Sequence, residues 1–393
     1  MPCVQAEERK RHEAYVAANR RDVNAFHGVT DPVQALEIIH RPRRFDPLVN
    51  WIPHPVPTDQ LYTELNPADQ QRLAAHAESL VGSDRHEEAQ DIVRCLSAFT
   101  DAELDGCLRS MAACGKFWPS IAFRRTPAKL RDEMIAQLQD DPHNRNHILC
   151  ALAWLGDATV VERFARWRKH PPAWRDSLYV PPHAHSFQAG WELSEDDQRR
   201  DLYFPNCTKL SRGASQSRGT FCAITEREDK CPWCSQNLTS LVDVAPIAFG
   251  LPTNGEADRI QVATCEFCGA YGTVFGALDA SGRGSFSEAN PRPEYLPDDS
   301  DDWIKLPRNS LTPAGNRPAL FAADQFLPTT FSQLGGHPTW IQDASYPSCP
   351  SCTKTMPFLA QLSHEDIEDY SEGIYYSFVC LPCGTTATSY QQT

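Results

Sequence analysis

CPWC (231–234), followed after thirty residues by CEFC (265–268), recurs along the chain as CPSC (349–352) and, after twenty-seven residues, CLPC (380–383). Two cysteines three apart on a tight turn aim both sulfurs at one point. Two such pairs supply the four tetrahedral ligands that zinc takes at about 2.3 Å. A hairpin inserted between the pairs accounts for their separation. Pro232 and Pro350 preset φ at the first turn position. Gly269 and Gly384 follow the downstream pairs, where a knuckle favours a residue that tolerates positive φ.

The likeness extends past the cysteines. CPWCSQNLTSLVDV aligns with CPSCTKTMPFLAQL at an offset of 118, setting Leu238, Leu241 and Val244 opposite Met356, Leu359 and Leu362. IQVATCEFCGAYGTVF aligns with YYSFVCLPCGTTATSY at 115. A duplicated unit that keeps all eight cysteines predicts two structural zinc ions, held by Cys231, Cys234, Cys265 and Cys268 and by Cys349, Cys352, Cys380 and Cys383. Duplication argues for pairing within each module, although a crossed pairing satisfies the spacing too. A redox CxxC usually occurs once, ahead of a helix in a βαβ unit. Here there are four, each beside strand-like sequence. A closed four-thiolate site leaves no position for water, which argues against catalysis at the metal.

Of the other cysteines, Cys95, Cys107 and Cys150 fall on apolar helix faces and read as core. Cys207 and Cys222 precede the first module; either could serve as a spare ligand, although the ligand count argues against it.

Around the modules, short strands separated by turns are expected at IQVAT, GTVFGAL, YYSFV and TTATSYQ. Upstream, DIVRCLSAF, AELDGCLRSM, LRDEMIAQL, NHILCALAWL and ATVVERFARW place apolar residues at helical spacing, with Asp101 and Asp157 where N-caps belong. An offset of 56 matches Ile92, Leu96 and Phe99 to Ile148, Leu152 and Leu155, and NHILCALAWLGDATVVERFARW resembles one unit of a HEAT-type helical repeat. The fold class expected is α+β. Residues 1–75 form a mixed, irregular segment with a Pro-rich stretch at 41–60. Residues 76–178 form a helical, HEAT-like region, and residues 179–393 a duplicated β-rich zinc-binding domain.

The chain of 393 residues carries a net charge of −14. From Tyr179 onward there are 14 Lys and Arg against 26 Asp and Glu, a net of −12, partly from the acidic run LPDDSDD (296–302). Phosphate backbones demand the opposite sign, so nucleic-acid binding is disfavoured and a basic protein partner is favoured. No apolar run approaches the roughly 18 residues of a membrane-spanning helix. The charged N-terminus is unlike a signal peptide, and fifteen cysteines without an export signal suit a reducing cytoplasm. No HExxH, phosphate-binding loop, GxGxxG or GxSxG pattern is present, and no catalytic residues are nominated. His183 and His185 in PPHAHS read as a surface turn.

FSQLGGHPTWIQDASYPSCPSCTKTMPFLAQL (331–362), with GIYYSFVCLPCGTTATSYQ (373–391), resembles the C-terminal signature of the YwqG-like family of bacterial proteins. Gly335, Gly336, Pro338, Trp340 and Gln342 are its most specific part. That family is similar to the eukaryotic programmed cell death protein 2, linked to ribosome biogenesis as a chaperone of a ribosomal protein. The resemblance covers 320–393 well, 203–290 more weakly, and not the helical half. It implies a duplicated β-rich domain that holds a protein client, with the motif residues as candidates for partner binding or for closing the β domain. The expected function is therefore a non-catalytic, zinc-stabilised chaperone or inhibitor of a basic client, such as a ribosomal protein or toxin. The competing reading is an RNA-processing enzyme or RNA-binding factor.

Overall fold

The computed structural model describes residues 2–213, 219–253, 257–297, 308–327, 331–369 and 372–392. Most of the acidic run 296–302 lies outside them. The chain forms two compact units that part between Lys116 and Phe117, and the fold is α+β, with a helical N-terminal part and a β-rich C-terminal part. Among the described residues no helix is long and apolar enough to cross a membrane.

The first unit holds six helices: α1 (Pro2–Asn19), α2 (Pro32–His40), α3 (Thr58–Thr63), α4 (Pro67–Leu80), α5 (His86–Phe99) and α6 (Asp105–Ala113). Two short strands, β1 (Arg21–Val23) and β2 (Val49–Trp51), pair in parallel. Residues 1–75 are thus more helical than their composition suggests. Asp31 and Asn66 cap α2 and α4, each followed by a proline whose missing N–H costs nothing in the first turn. Leu36, Leu73, Ala77, Ile92, Val93 and Leu96 fill the core, where Cys95 and Cys107 are also buried. The helix after Asp101 starts only at Asp105, with Leu104 rather than Asp101 at the N-cap position.

The second unit begins with α7 (Ala128–Gln137), α8 (Arg145–Leu155) and α9 (Ala158–Lys169). Asp157 caps α9, its Oδ1 accepting from Val160 N at 2.9 Å. The expected helical region 76–178 is therefore divided, with α5 and α6 in one unit and their offset-56 counterparts α8 and α9 in the other. The physical reason is aromatic. Trp191, on the hairpin of β3 (Trp191–Leu193) and β4 (Arg199–Asp201), stacks on Phe164 of α9 and donates from Nε1 to Ala153 O of α8. Trp154 of α8 lies 4.7 Å from His337.

The remaining strands are β5 (Cys207–Arg212), β6 (Phe221–Lys230), β7 (Asn237–Val244), β8 (Ile260–Thr264), β9 (Val274–Leu278), β10 (Gly284–Phe286), β11 (Leu311–Arg317), β12 (Gln333–Gly335), β13 (Phe358–Ser363), β14 (Ile374–Cys380) and β15 (Thr385–Gln391). Eight form one sheet in the order β10-β9-β15-β14-β13-β12-β5-β11, and β6-β7-β8 form another. Every residue of β14 is buried, so it is covered on both faces. Tyr375 and Val379 join Leu241, Val242, Val244, Ile260 and Val262 of the smaller sheet in one core. Ile374, Tyr376 and Phe378 point the other way, into a second cluster with Trp340 and Met356. This is the period-2 alternation of a strand serving two cores. Each fully buried Leu, Val or Phe there contributes roughly 1.5–3 kcal/mol relative to exposure.

His337 is wholly buried, and burial lowers its pKa to about 4 from 6.5. The unfolded chain thus takes up this proton at higher pH than the folded chain does. Stability is complete above pH 6.5 and falls as pH drops toward 4, by about 1.4 kcal/mol per pH unit for this group. His40 in the first unit, lowered to about 4 by burial, acts in the same sense. Denaturant titrations between pH 7 and 4 should show this loss, and His337→Asn should reduce the slope by about one proton. A wild-type profile flat across that window would contradict it.

Candidate metal centres

In each module the upstream pair forms the same knuckle. Cys231 N donates to Gln236 O at 2.8 Å, and Ser235 N donates to Cys231 O at 2.9 Å. Cys349 N donates to Lys354 O at 2.9 Å, and Thr353 N to Cys349 O at 2.8 Å. The turn closes through a left-handed residue, Ser235 at φ 62° and Thr353 at φ 60°. The downstream pairs differ. Gly384 has φ 58°, as expected, but Gly269 does not leave the right-handed region, because Glu266–Gly269 continues as a turn of helix, α10.

The four sulfurs of each module lie within 4.8 Å of one another, and pairing is within modules. Sγ–Sγ distances are 3.7 Å for Cys231–Cys268, 3.5 Å for Cys234–Cys265 and 3.7 Å for Cys352–Cys380. Four sulfurs at tetrahedral corners about 2.3 Å from a zinc would stand about 3.8 Å apart, whereas a disulfide requires about 2.05 Å. None of the eight cysteines forms a disulfide. Cys231, Cys265 and Cys268 are buried, and Cys234 is half-buried. In the second module Cys349 and Cys380 are buried, while Cys352 and Cys383 are half-buried.

The electrostatics ask for a cation. Hydrogen bonds from the Cys265 and Cys268 thiols, with the N–H groups of Trp233 and Cys234, hold Cys231 far below the ordinary thiol range against the effect of burial. The same hydrogen bonds to Cys231, with burial and its charge adding, push Cys265 and Cys268 up. Burial raises Cys349, but the N–H groups of Cys352 and Ser351 outweigh it and bring the thiol down to about 7. Burial drives Cys380 up, and a hydrogen bond with Cys352 raises Cys383. A central dication would favour the thiolate form at all four positions of each cluster. The residues fit a thiophilic metal ion, two per chain, with no described fifth ligand: Cys207 is buried beneath Gly336, and Cys222 is exposed.

The modules sit differently in the sheets. Cys380–Cys383 joins β14 to β15 within the large sheet, whereas Cys265–Cys268 carries the chain from β8 in the small sheet to β9 in the large one. A metal held at the first site would therefore fasten one sheet to the other. Glu266, between its ligands, is almost fully buried and takes a two-pronged ion pair from Arg308, at 2.9 and 2.5 Å. Arg308 Nε reaches Glu368 at 3.1 Å, and Thr239 of β7 donates to Glu266. Sequence reading missed this cluster, whose members come from four distant segments. The Arg and Glu types alone carried no signal.

The Gly-Gly motif forms the tight turn its sequence suggests. Gly335 and Gly336 have φ of 61° and 69°. A Cβ on Gly335 would stand 2.0 Å from Asn206 O, and one on Gly336 2.8 Å from Cys207 Sγ. Gln333 Nε2 bridges Gly335 O and His337 O, both at 2.8 Å. Trp340 stacks on Tyr376 at 4.7 Å. Gly335, Gly336 and Pro338 are buried, so a partner could touch them only by opening the fold; Trp340 is mostly buried but lines a cavity, and Gln342 is exposed. Gly335→Ala should cost about 3 kcal/mol, combining positive φ with the clash. A loss below about 1 kcal/mol in urea titration would show that the turn relaxes. His185, read as part of a surface turn, is buried, with Nε2 3.1 Å from Asn146 Oδ1.

A protein of Salmonella typhimurium, the uncharacterized protein YpfL, is 49% identical over 397 residues, an overlap spanning 100% of this chain and 93% of that one. No family model matches the chain, and no solved structure matches it.

Proposed function

This chain belongs over its whole length to the family of YpfL, and for that whole chain we propose non-catalytic protein binding, by an acidic scaffold in which two zinc ions are structural. The closed four-sulfur geometry carries this reading, because four protein ligands satisfy zinc and leave no position for substrate. Four cysteine sulfurs suit zinc best among the common metals of an enzyme-free site, with iron the alternative. The net charge of −12 beyond Tyr179 suits a basic client, and it opposes a phosphate backbone. The resemblance to the YwqG-like family and to programmed cell death protein 2 points the same way, toward a chaperone or inhibitor of a ribosomal protein or toxin in the cytoplasm.

Elemental analysis of protein purified without chelator should find two zinc ions per chain; none, or iron instead, would overturn the metal assignment. Titration with purified basic ribosomal proteins at about 0.15 M salt should give stable complexes with no cleavage of RNA. Absence of binding to every basic protein, together with RNA turnover, would overturn the functional one.

A further inference from the structure

Within the second unit, beside α8 and the segment that follows the Gly335-Gly336 turn, lies a cavity of 350 Å³. Its walls carry three indoles, Trp118, Trp154 and Trp340, and two carboxylates, Asp324 and Asp343, and among the described residues no lysine or arginine lines it. Two of the indoles are fixed in place, Trp154 against His337 and Trp340 against Tyr376, each at 4.7 Å. The Asp343 carboxylate forms no hydrogen bond or ion pair with any described residue. Only its backbone carbonyl is engaged, by Gln391 Nε2 at 3.1 Å. Its charge reaches the Cys150 thiol on the α8 wall, which burial first and Asp343 second raise to about 12. A polar depression of 530 Å³ shares Gln342 and Asp343 with the cavity and runs past Gly269 and Gly272 to Ser389–Gln391. There β9 no longer covers β15, since their pairing stops at Thr388.

Indole walls, an unpaired carboxylate and the absence of lysine and arginine among the described lining residues select an organic cation. A guanidinium suits them better than an ammonium, because it is planar, weakly hydrated and able to stack and fork at once. The adjoining trough, lined by Gly, Thr, Ser and Gln, gives the main chain on either side of such a residue a polar bed. We propose that this cavity receives one arginine side chain of a basic protein client, its guanidinium on the Asp343 carboxylate and its plane against the indole walls, with the flanking peptide in the trough. The inference rests on the basic-client reading and deepens it to one pocket.

The test is calorimetric titration of the full-length, metal-loaded protein at about 0.15 M salt. The probes are a short Gly-Arg repeat peptide, its lysine and citrulline counterparts, and spermidine. The arginine peptide should bind tightest, and the citrulline peptide not at all. Asp343→Asn, an exposed position whose change should leave the melting temperature unmoved, should weaken the arginine peptide about tenfold, as should Trp154→Leu. Equal binding of arginine and citrulline peptides, or tighter binding of spermidine than of either basic peptide, would overturn the proposal. If purified basic proteins bind wild type and Asp343→Asn alike, the pocket assignment falls and the basic-client reading survives. If wild type binds neither basic peptides nor basic proteins, both fall.

Discussion

Cys265→Ser is expected to remove one of two metal ions per chain and to melt the second unit at a far lower temperature. Cys265 is fully buried, and its sulfur stands 3.5 Å from that of Cys234. Serine cannot supply a thiolate, and three sulfurs hold the ion poorly. Apparent binding free energies of structural zinc run to about 10–16 kcal/mol and appear as folding energy. Losing even a third of that is comparable to the whole stability of an ordinary domain. The effect should exceed that of Cys383→Ser. Cys383 is half-buried, and its module joins two strands that pair along their length within one sheet. The first module instead connects strands that belong to different sheets, so nothing but side-chain packing replaces it. Elemental analysis and thermal melts of both variants check this. An unchanged melting temperature for Cys265→Ser, or retention of both ions, would remove the structural role.

The second large effect is expected at Arg308. Its side chain neutralises Glu266 and Glu368, which are 1% and 7% exposed. Arg308→Ala leaves both carboxylates buried without their cation, and breaking such a pair by removing one partner costs about 3–5 kcal/mol. The buried position matters, since a surface pair would be worth about 1 kcal/mol or less. Arg308→Lys keeps the charge but loses the fork, and it should fall between wild type and alanine. Adding Glu266→Gln to Arg308→Ala should recover part of the loss by removing one stranded charge. Urea titrations of wild type, Arg308→Ala, Glu266→Gln and the double variant give the coupling directly. A loss below about 1 kcal/mol for Arg308→Ala would show that water reaches the carboxylates.

The two four-cysteine clusters were legible because their turns are local and repeated. A CxxC turn carries its geometry within four residues, and the alignments at offsets of 118 and 115 paired the right strands, β7 with β13 and β8 with β14. The Gly335-Gly336 turn was legible for the same reason. What the sequence did not reveal depends on distant partners. Whether β9 stays beside β8, as β15 stays beside β14, is decided by β15, to which β9 pairs from Thr385 to Thr388. The same divergence accounts for Gly269, which sits on a strand-to-strand crossing rather than in a hairpin and so never needs positive φ. Asp101 matched Asp157 in the offset-56 alignment, yet only Asp157 caps a helix, because α6 starts four residues later. The division of the helices between units turns on Trp191 and Trp154, whose contacts lie far along the chain. Asp343 and the indoles around it come from separate segments, and periodicity does not register such convergence.

The strand order has a consequence for biosynthesis. β15 and β14 lie in the interior of the large sheet, between β9 and β10, which a ribosome makes much earlier, and β13, made just before them. While the chain is growing, β9 has an open edge and no partner there until Thr385–Thr388 have left the exit tunnel. Strand edges left exposed this way are prone to association. Until β15 arrives to fill the gap, the newborn chain therefore presents such an edge itself.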